Sequence, residues 1–453
     1  MRKLNQPILL ILILLLIFSA CRVRKNPLKT EIETGGIFET SIDTSASILG
    51  NLLNEPYGRT VLTYLPPGFG EDTTYSYPVL FLLHGFKEKE WFYTHFYNVK
   101  TIADQMITSG EIQPMIIIMP DGSSKFGGSF FANSVTPDGK NFAGKYEDYI
   151  TQDLFNHVLY DYGQWIRGVR YIVTPMDSFY ITRDSIPDLD TTCYDPPACD
   201  SIDVDTTRWL YVIDTVTVEW VDTTVNLSDD TAYFRQNFGI SGHANGGYGA
   251  IRIATDYPLY YGSVSAMSAP LDFESFEDLI PAFLDSNGVD QNGNGYHQID
   301  PDPKTLDRLS AFFFAMAVAF SPHDLTNNDT SYFFRLVASS QKIGVDLPFD
   351  SLGSIVSSFW QRWMNNDLKT RISGIPVNNL RNLKLYIDAG VEDELDFDQQ
   401  AIAFYDALPA TVKANTTFEF YTGYAGYPAL SNSFIYDRLR KVLKFHSDCF
   451  TAP

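Results

Sequence analysis

This sequence predicts an α/β architecture: a mainly parallel central sheet with helices on both faces. Two observations carry that reading. Short, continuous apolar runs closed by Gly or Pro recur along the chain, as strands buried on both faces require. Helical patterns alternate with them, as strand–helix–strand crossovers require. A third observation sets one stretch apart. Residues 168–230 are rich in Thr, Asp and Val, alternate as β-structure does and interrupt the rhythm, so they read as a β-rich insertion.

In chain order, residues 60–65 alternate and stop at Pro66-Pro67-Gly68. Residues 78–83 are a continuous apolar run ending at His84-Gly85. Residues 115–119 form another, ending at Pro120-Asp121-Gly122. Residues 238–242 run into a glycine-rich turn, and further strands follow at 262–267, 383–387 and 417–421. Helical patterns fall at 99–109, 149–162, 247–255, 398–408 and 434–445. Within the insertion, residues 208–225 (Arg208, Trp209, Leu210, Tyr211 and onward to Val225) alternate most clearly. Such a segment is either a surface loop without a role or a binding face built on its Trp and Tyr side chains.

The first 21 residues read as a targeting segment. Arg2 and Lys3 precede an Ile/Leu run between Pro7 and Ala20, and Phe18-Ser19-Ala20-Cys21 closes it. The run is shorter than the roughly 20 residues of a membrane span and has the flanks of a signal peptide. Small residues ending at a cysteine resemble a lipobox, with Phe18 where leucine is usual. That resemblance implies cleavage before Cys21, its lipidation, and a chain held on a membrane of the cell envelope by acyl chains of about 0.8 kcal/mol per methylene. The remaining chain divides into a linker (22–49), a body (50–167 and 231–450) and the insertion (168–230).

The net charge is −22. No basic stripe is available to neutralise phosphates, so nucleic acid is excluded as a partner. Of the four cysteines, Cys21 is assigned to lipid. Cys193 and Cys199 lie in a turn-rich stretch and are expected to pair in an oxidising compartment, as a local staple. Cys449 is left over.

Several motifs together resemble one family. Tyr64-Leu65-Pro66-Pro67-Gly68, Tyr77-Pro78-Val79-Leu80 and Leu82-Leu83-His84-Gly85 look like the opening of the esterase family that includes feruloyl and acetyl-xylan esterases, siderophore esterases, formylglutathione hydrolases and mycolyl transferases. Ile116 to Gly122 and Tyr146-Glu147-Asp148-Tyr149 resemble its next landmarks, and Gly242-His243-Ala244-Asn245-Gly246-Gly247 lies at its nucleophile elbow. The resemblance implies an α/β-hydrolase fold and serine-esterase chemistry with no required cofactor.

It also implies a broken triad. An elbow holds its nucleophile on a strained strand-to-helix turn whose flanking glycines give steric room. Those glycines are present, but the nucleophile position holds Ala244, and a methyl group cannot attack a carbonyl. Gly390-Val391-Glu392-Asp393 puts Asp393 in the orienting role. Gly423-Tyr424-Ala425-Gly426-Tyr427 puts Tyr427 where the histidine belongs, and a phenol with pKa near 10 is a poor base at pH 7. Backbone amides near Phe86 and Asn245 are expected to keep an oxyanion hole. Ser241 is the candidate for a relocated nucleophile. His84 is expected to shape the oxyanion loop, His243 and His446 to pack, and His323 to lie near the site.

A separate stretch, Asp290-Gln291-Asn292-Gly293-Asn294-Gly295, matches the start of a calcium loop. Asp290, Asn292 and Asn294, the Tyr296 carbonyl and Asp300 or Asp302 are the candidate Ca²⁺ ligands. Pro301 stands where the bidentate glutamate is expected, and a solvated Asn/Gly loop has the same composition. Three functions remain open: a binding or scaffold module for a glycan or acylated small molecule, an ester hydrolase with an unusual nucleophile or a metal-assisted site, and a structural envelope protein that works through its insertion. The oligomeric state is not legible.

Overall fold

The computed structural model describes residues 35–169, 235–287, 307–323, 332–335, 342–350, 352–380, 382–424 and 426–451. The body, Gly36–Pro453, is one compact unit. Its sheet has eight strands: β1 (Ile37–Thr44), β2 (Gly58–Leu65), β3 (Val79–Leu83), β4 (Ile116–Pro120), β7 (Phe238–His243), β8 (Ser263–Met267), β11 (Lys384–Gly390) and β12 (Thr416–Tyr421). They lie in the order β1-β2-β4-β3-β7-β8-β11-β12. The two junctions at the β1 end are antiparallel, and every junction from β4 onward is parallel. Two hairpins, β5 (Asn133–Val135) with β6 (Asn141–Lys145) and β9 (Tyr332–Arg335) with β10 (Lys342–Val345), stand apart from it.

The helices used below are α1 (Val99–Thr108), α2 (Leu154–Tyr162), α3 (Asn245–Asp256), α4 (Arg308–Phe320), α5 (Phe397–Ala407) and α6 (Ile435–Cys449). The period of two along a strand sends alternate residues to opposite faces. Val79, Phe81 and Leu83 of β3 join Phe155, Tyr248 and Phe404 in one core. Leu80 and Leu82 join Val99, Ile102 and Met106 of α1 and Leu439 and Leu443 of α6 in the other. Both faces are therefore dry, and this is why the strands read as unbroken apolar runs.

Two expectations need correction. The 22–49 stretch read as a linker contains β1, which pairs antiparallel with β2 along its length, from Ile37 opposite Leu65 to Thr44 opposite Gly58. As an edge strand it buries few side chains, so its sequence lacks an apolar signal. The expected helix at 149–162 begins as a π-turn (Tyr149–Asp153) before α2. Residues 170–230 of the expected insertion, with Cys193 and Cys199 that were expected to pair, Cys21 and the candidate Ca²⁺ ligands from Asp290 to Asp302 lie outside the described residues. Among the described residues no helix is long and apolar enough to cross a membrane.

Candidate functional site

The carboxyl ends of the parallel strands converge where β7 turns into α3. Ala244 occupies the turn with φ 49° and ψ −120°, a region that costs a non-glycine residue about 1–3 kcal/mol. Packing imposes it. A Cβ on Gly242 would lie 2.2 Å from the Gly246 carbonyl carbon and oxygen, and one on Gly246 would lie 2.4 Å from the Leu83 oxygen. The Ala244 N–H is held by the Met267 carbonyl at 2.9 Å. The geometry of a nucleophile elbow is thus complete, and a methyl group stands at its apex.

Ala244 lines a cavity of about 200 Å³ with Phe86, Arg308, Leu309, Phe312, Glu394, Leu395, Phe397 and Ser431. The wall is mostly apolar, with the Arg308–Glu394 ion pair (3.1 Å) at one side. Asn245 is the first residue of α3, so its N–H is an orphan donor of the helix start. The Phe86 N–H finds no acceptor among the described residues. These are the two amides expected of an oxyanion hole. The Asn245 side chain is fully buried, and neither end of its amide has a partner among the described residues.

The triad positions are arranged differently from expectation. Tyr427 is 67% exposed and lines a separate surface hollow with Glu392 and Tyr424; it is not among the residues lining the Ala244 cavity. Ser431, 2% exposed, lines that cavity instead. Its hydroxyl donates to Glu394 Oε1 at 2.6 Å and its N–H to Oε2 at 3.0 Å. Burial raises the Glu394 carboxyl, but the Ser431 bonds and Arg308 outweigh it and hold the pKa below the usual range. Asp393 turns inward: Oδ1 takes the Leu395 N–H at 3.1 Å, Oδ2 has no partner, and burial pushes the pKa up to about 6. It has no imidazole to orient.

The histidines have other employments. His243 donates from Nε2 to the Ser431 carbonyl (2.9 Å), and its Nδ1 lies 3.5 Å from Glu88 Oε1, an electrostatic contact too long for a strong hydrogen bond. Glu88 also accepts from the Gly85 N–H (2.8 Å) and the Tyr97 hydroxyl. Burial would raise its pKa, but His243 and these donors bring it down to about 2. This chain of contacts ties the oxyanion loop to the elbow and to the loop before α6. His84 accepts the Gly122 N–H at Nε2 (2.9 Å), as a loop-shaping residue would. His323 pairs with Asp346 at 2.9 Å. His446 is enclosed with Ser263 and Ser265, and Ser265 donates to Ser241 at 2.7 Å. Ser241 is fully buried, so no ester reaches it.

Beneath the site lies one buried cation. Arg438 of α6 pairs with Asp388 at 2.6 Å and donates to the Ser268 hydroxyl (3.1 Å), the Tyr421 hydroxyl (2.9 Å) and the Ser431 carbonyl (2.8 Å). The Ser431 carbonyl thus receives donors from both Arg438 and His243, and its loop is fixed. Among the described residues no group of three or more His, Cys, Asp or Glu is placed to hold a metal ion. The sequence reading missed Ser431, Glu394, Glu88 and Arg438. Ser431 and Glu394 have no motif of their own.

Comparison with known proteins places this geometry. The model of the family described as Putative esterase matches residues 55–164 and 186–434. Among solved structures, a ferulic acid esterase is 16% identical, with 92% of this chain and 100% of that chain covered and a TM-score of 0.47. An S-formylglutathione hydrolase from Agrobacterium tumefaciens is 13% identical, with 94% and 99% covered and a TM-score of 0.46. A mutant of the feruloyl esterase module from Clostridium thermocellum, complexed with sinapinate, is 13% identical, with 94% and 93% covered and a TM-score of 0.42.

Proposed function

The chain belongs to the esterase family, and from that premise we propose that it is an envelope lipoprotein, anchored through Cys21, whose elbow has lost acyl-transfer chemistry and serves to bind an acylated or glycan ligand. One observation carries the reading. The apex of a fully formed elbow is the methyl group of Ala244, and no imidazole is among the residues lining its cavity. Triad members act as a unit, and losing a central one costs about 10⁶ in rate. An oxyanion hole alone leaves only about 10³ over water. What remains is a 200 Å³ apolar cavity with two backbone donors, a shape that holds a small acyl or aryl group without turning it over.

The alternative, an ester hydrolase with a displaced nucleophile, now rests on Ser431, the hydroxyl in the cavity and hydrogen-bonded to a carboxylate. Against it, Glu394 is held below the usual carboxylate range and so is a weak base.

Fluorophosphonate labelling of the soluble chain with peptide mass mapping decides between them. The native chain is expected to give no adduct. The double variant Ala244→Ser, Ser431→His puts a hydroxyl on the elbow and an imidazole beside Glu394, and is expected to label at position 244. An adduct at Ser431 or any other serine of the native chain would replace this reading with the hydrolase.

A further inference from the structure

A second cavity opens beside the elbow, with a volume of about 540 Å³, inside the roughly 300–1,000 Å³ of small-molecule sites. Its walls come from the loop after β3 (Lys87, Glu88, Lys89, Trp91, Phe92) and the loop after β4 (residues 123–127). Both strands belong to the parallel part of the sheet, and ligands of such sheets bind outside the carboxyl ends of the strands. Three lining side chains, Lys87, Lys89 and Lys125, are exposed. Trp91 and Phe92 supply aromatic surface.

Among the described residues Asp121 reaches one rim ammonium, Lys89 at 3.5 Å, while Glu55, Glu88 and Glu90 are buried. Residues 87–90 alternate Lys-Glu-Lys-Glu, and the lysines face solvent while both glutamates are buried. Glu88 holds the Gly85 N–H and Tyr97 and faces His243. Asp121 takes the Ser123 N–H at 2.8 Å and is shared among Arg59, His84 and Lys89 at 3.9, 3.8 and 3.5 Å. Glu55 takes the Lys125 N–H at 2.8 Å, while the Lys125 ammonium donates to the neutral Leu53 carbonyl. Lys87 has no ion pair among the described residues. On a chain of net charge −22, this rim selects for a negative ligand.

The kind of anion follows from the donors. Lysine ammoniums are point charges that take carboxylate or phosphate alike, and no arginine lines the cleft to supply a bidentate guanidinium fork. Separate ammoniums on flexible stems suit carboxylates spaced along a chain. Trp91, partly exposed and packed on Phe92 with ring centroids 4.5 Å apart, offers a flat apolar face of the kind that stacks on the C–H face of a sugar. We propose that this cleft binds a carboxylate-bearing saccharide, a uronate-containing oligosaccharide. The proposal extends the binding role assigned to the elbow, because the two cavities share a wall. Phe86 lines the smaller and Lys87 the larger, and a Cβ on Gly127 would touch both, at 3.1 and 2.8 Å. A glycan in the cleft would direct an acyl substituent over Phe86 toward Ala244.

Calorimetric titration of the soluble chain with oligogalacturonate, a neutral xylo-oligosaccharide, a sulfated oligosaccharide and a small aryl ester tests this, in native protein and in the Lys87→Gln, Lys89→Gln double variant. Both lysines are exposed, so the variant should fold, which circular dichroism checks. The uronate is expected to bind more tightly than the neutral sugar. Its affinity should drop about tenfold or more in the variant, as loss of two charge-assisted contacts implies, and weaken with salt. No uronate binding, equal binding to the variant, or tighter binding of the sulfated sugar overturns the proposal. If the aryl ester binds and the uronate does not, the cleft assignment fails while the elbow reading stands. If the uronate binds through the lysines and the aryl ester does not, the elbow's acyl pocket fails and the cleft stands.

Discussion

Replacing Arg438 by Met removes the cation that acceptors on Asp388, Ser268, Tyr421, Ser431 and Ser433 surround. Asp388 keeps its carboxylate at 2% exposure with no counter-charge, and the Ser431 carbonyl and the Tyr421 hydroxyl each lose a donor. Breaking a buried pair from one side costs about 3–5 kcal/mol, because the remaining charge is stranded. Unfolding entropy near 2.1 cal/mol/K per residue gives roughly 0.85 kcal/mol/K for a body of about 400 residues, so Tm should fall by about 4–6 °C. Removing both charges is a different perturbation. Arg438→Met with Asp388→Leu leaves no orphan ion and should recover most of the loss. Differential scanning calorimetry of the two single variants and the double variant closes the cycle. A shift below about 1 °C for Arg438→Met, or a double variant that falls by the sum of the singles, would refute the account of this network as a mutually dependent pair.

Two other outcomes follow from the packing of this body. Asp43 is buried with one oxygen unpartnered, and burial together with Asp153 and Asp161 pushes its pKa up to about 7. Between its unfolded value of 3.8 and 7 the native state holds a proton that the unfolded chain has released, so this residue costs stability as pH rises through that window. Asp43→Asn should therefore raise stability at pH 8 by on the order of a few kcal/mol, with the difference vanishing near pH 4 in parallel urea melts; a pH-independent difference would sink the argument. Gly242→Ala places a Cβ 2.2 Å from backbone atoms of Gly246, which cannot swing aside as a side chain would. A loss of about 1–3 kcal/mol or more is expected, with loss of labelling in the Ala244→Ser, Ser431→His background; full retention of both would mean that the elbow has another way to close.

How far the sequence carried can be judged from particular residues. The parallel strands were legible because each is buried on both sides and ends at Gly or Pro, and the elbow because its glycines are dictated by contacts within a few residues. β1 was not legible, since an edge strand with mostly exposed side chains carries no apolar run. α4 was missed for the opposite reason. It is buried on nearly every side, so it shows no helical period. Ser431 went unread for a third reason. The loop from 422 to 434 offers several candidates at similar spacing, and which one reaches Ala244 depends on Glu394, Arg438 and His243 gripping Ser431 from three other elements. No local pattern records that grip.

The elbow also bears on the history open to this chain. Its backbone at position 244 is held by glycines and strands that a binding role alone does not demand, so the socket persists as standing variation in shape, not in chemistry. A base change at the first codon position turns alanine into serine, which would set a hydroxyl at the apex of a turn already formed. A reacting site would still need an imidazole in reach of that hydroxyl, which no residue lining the cavity supplies, but the turn itself would need no rebuilding.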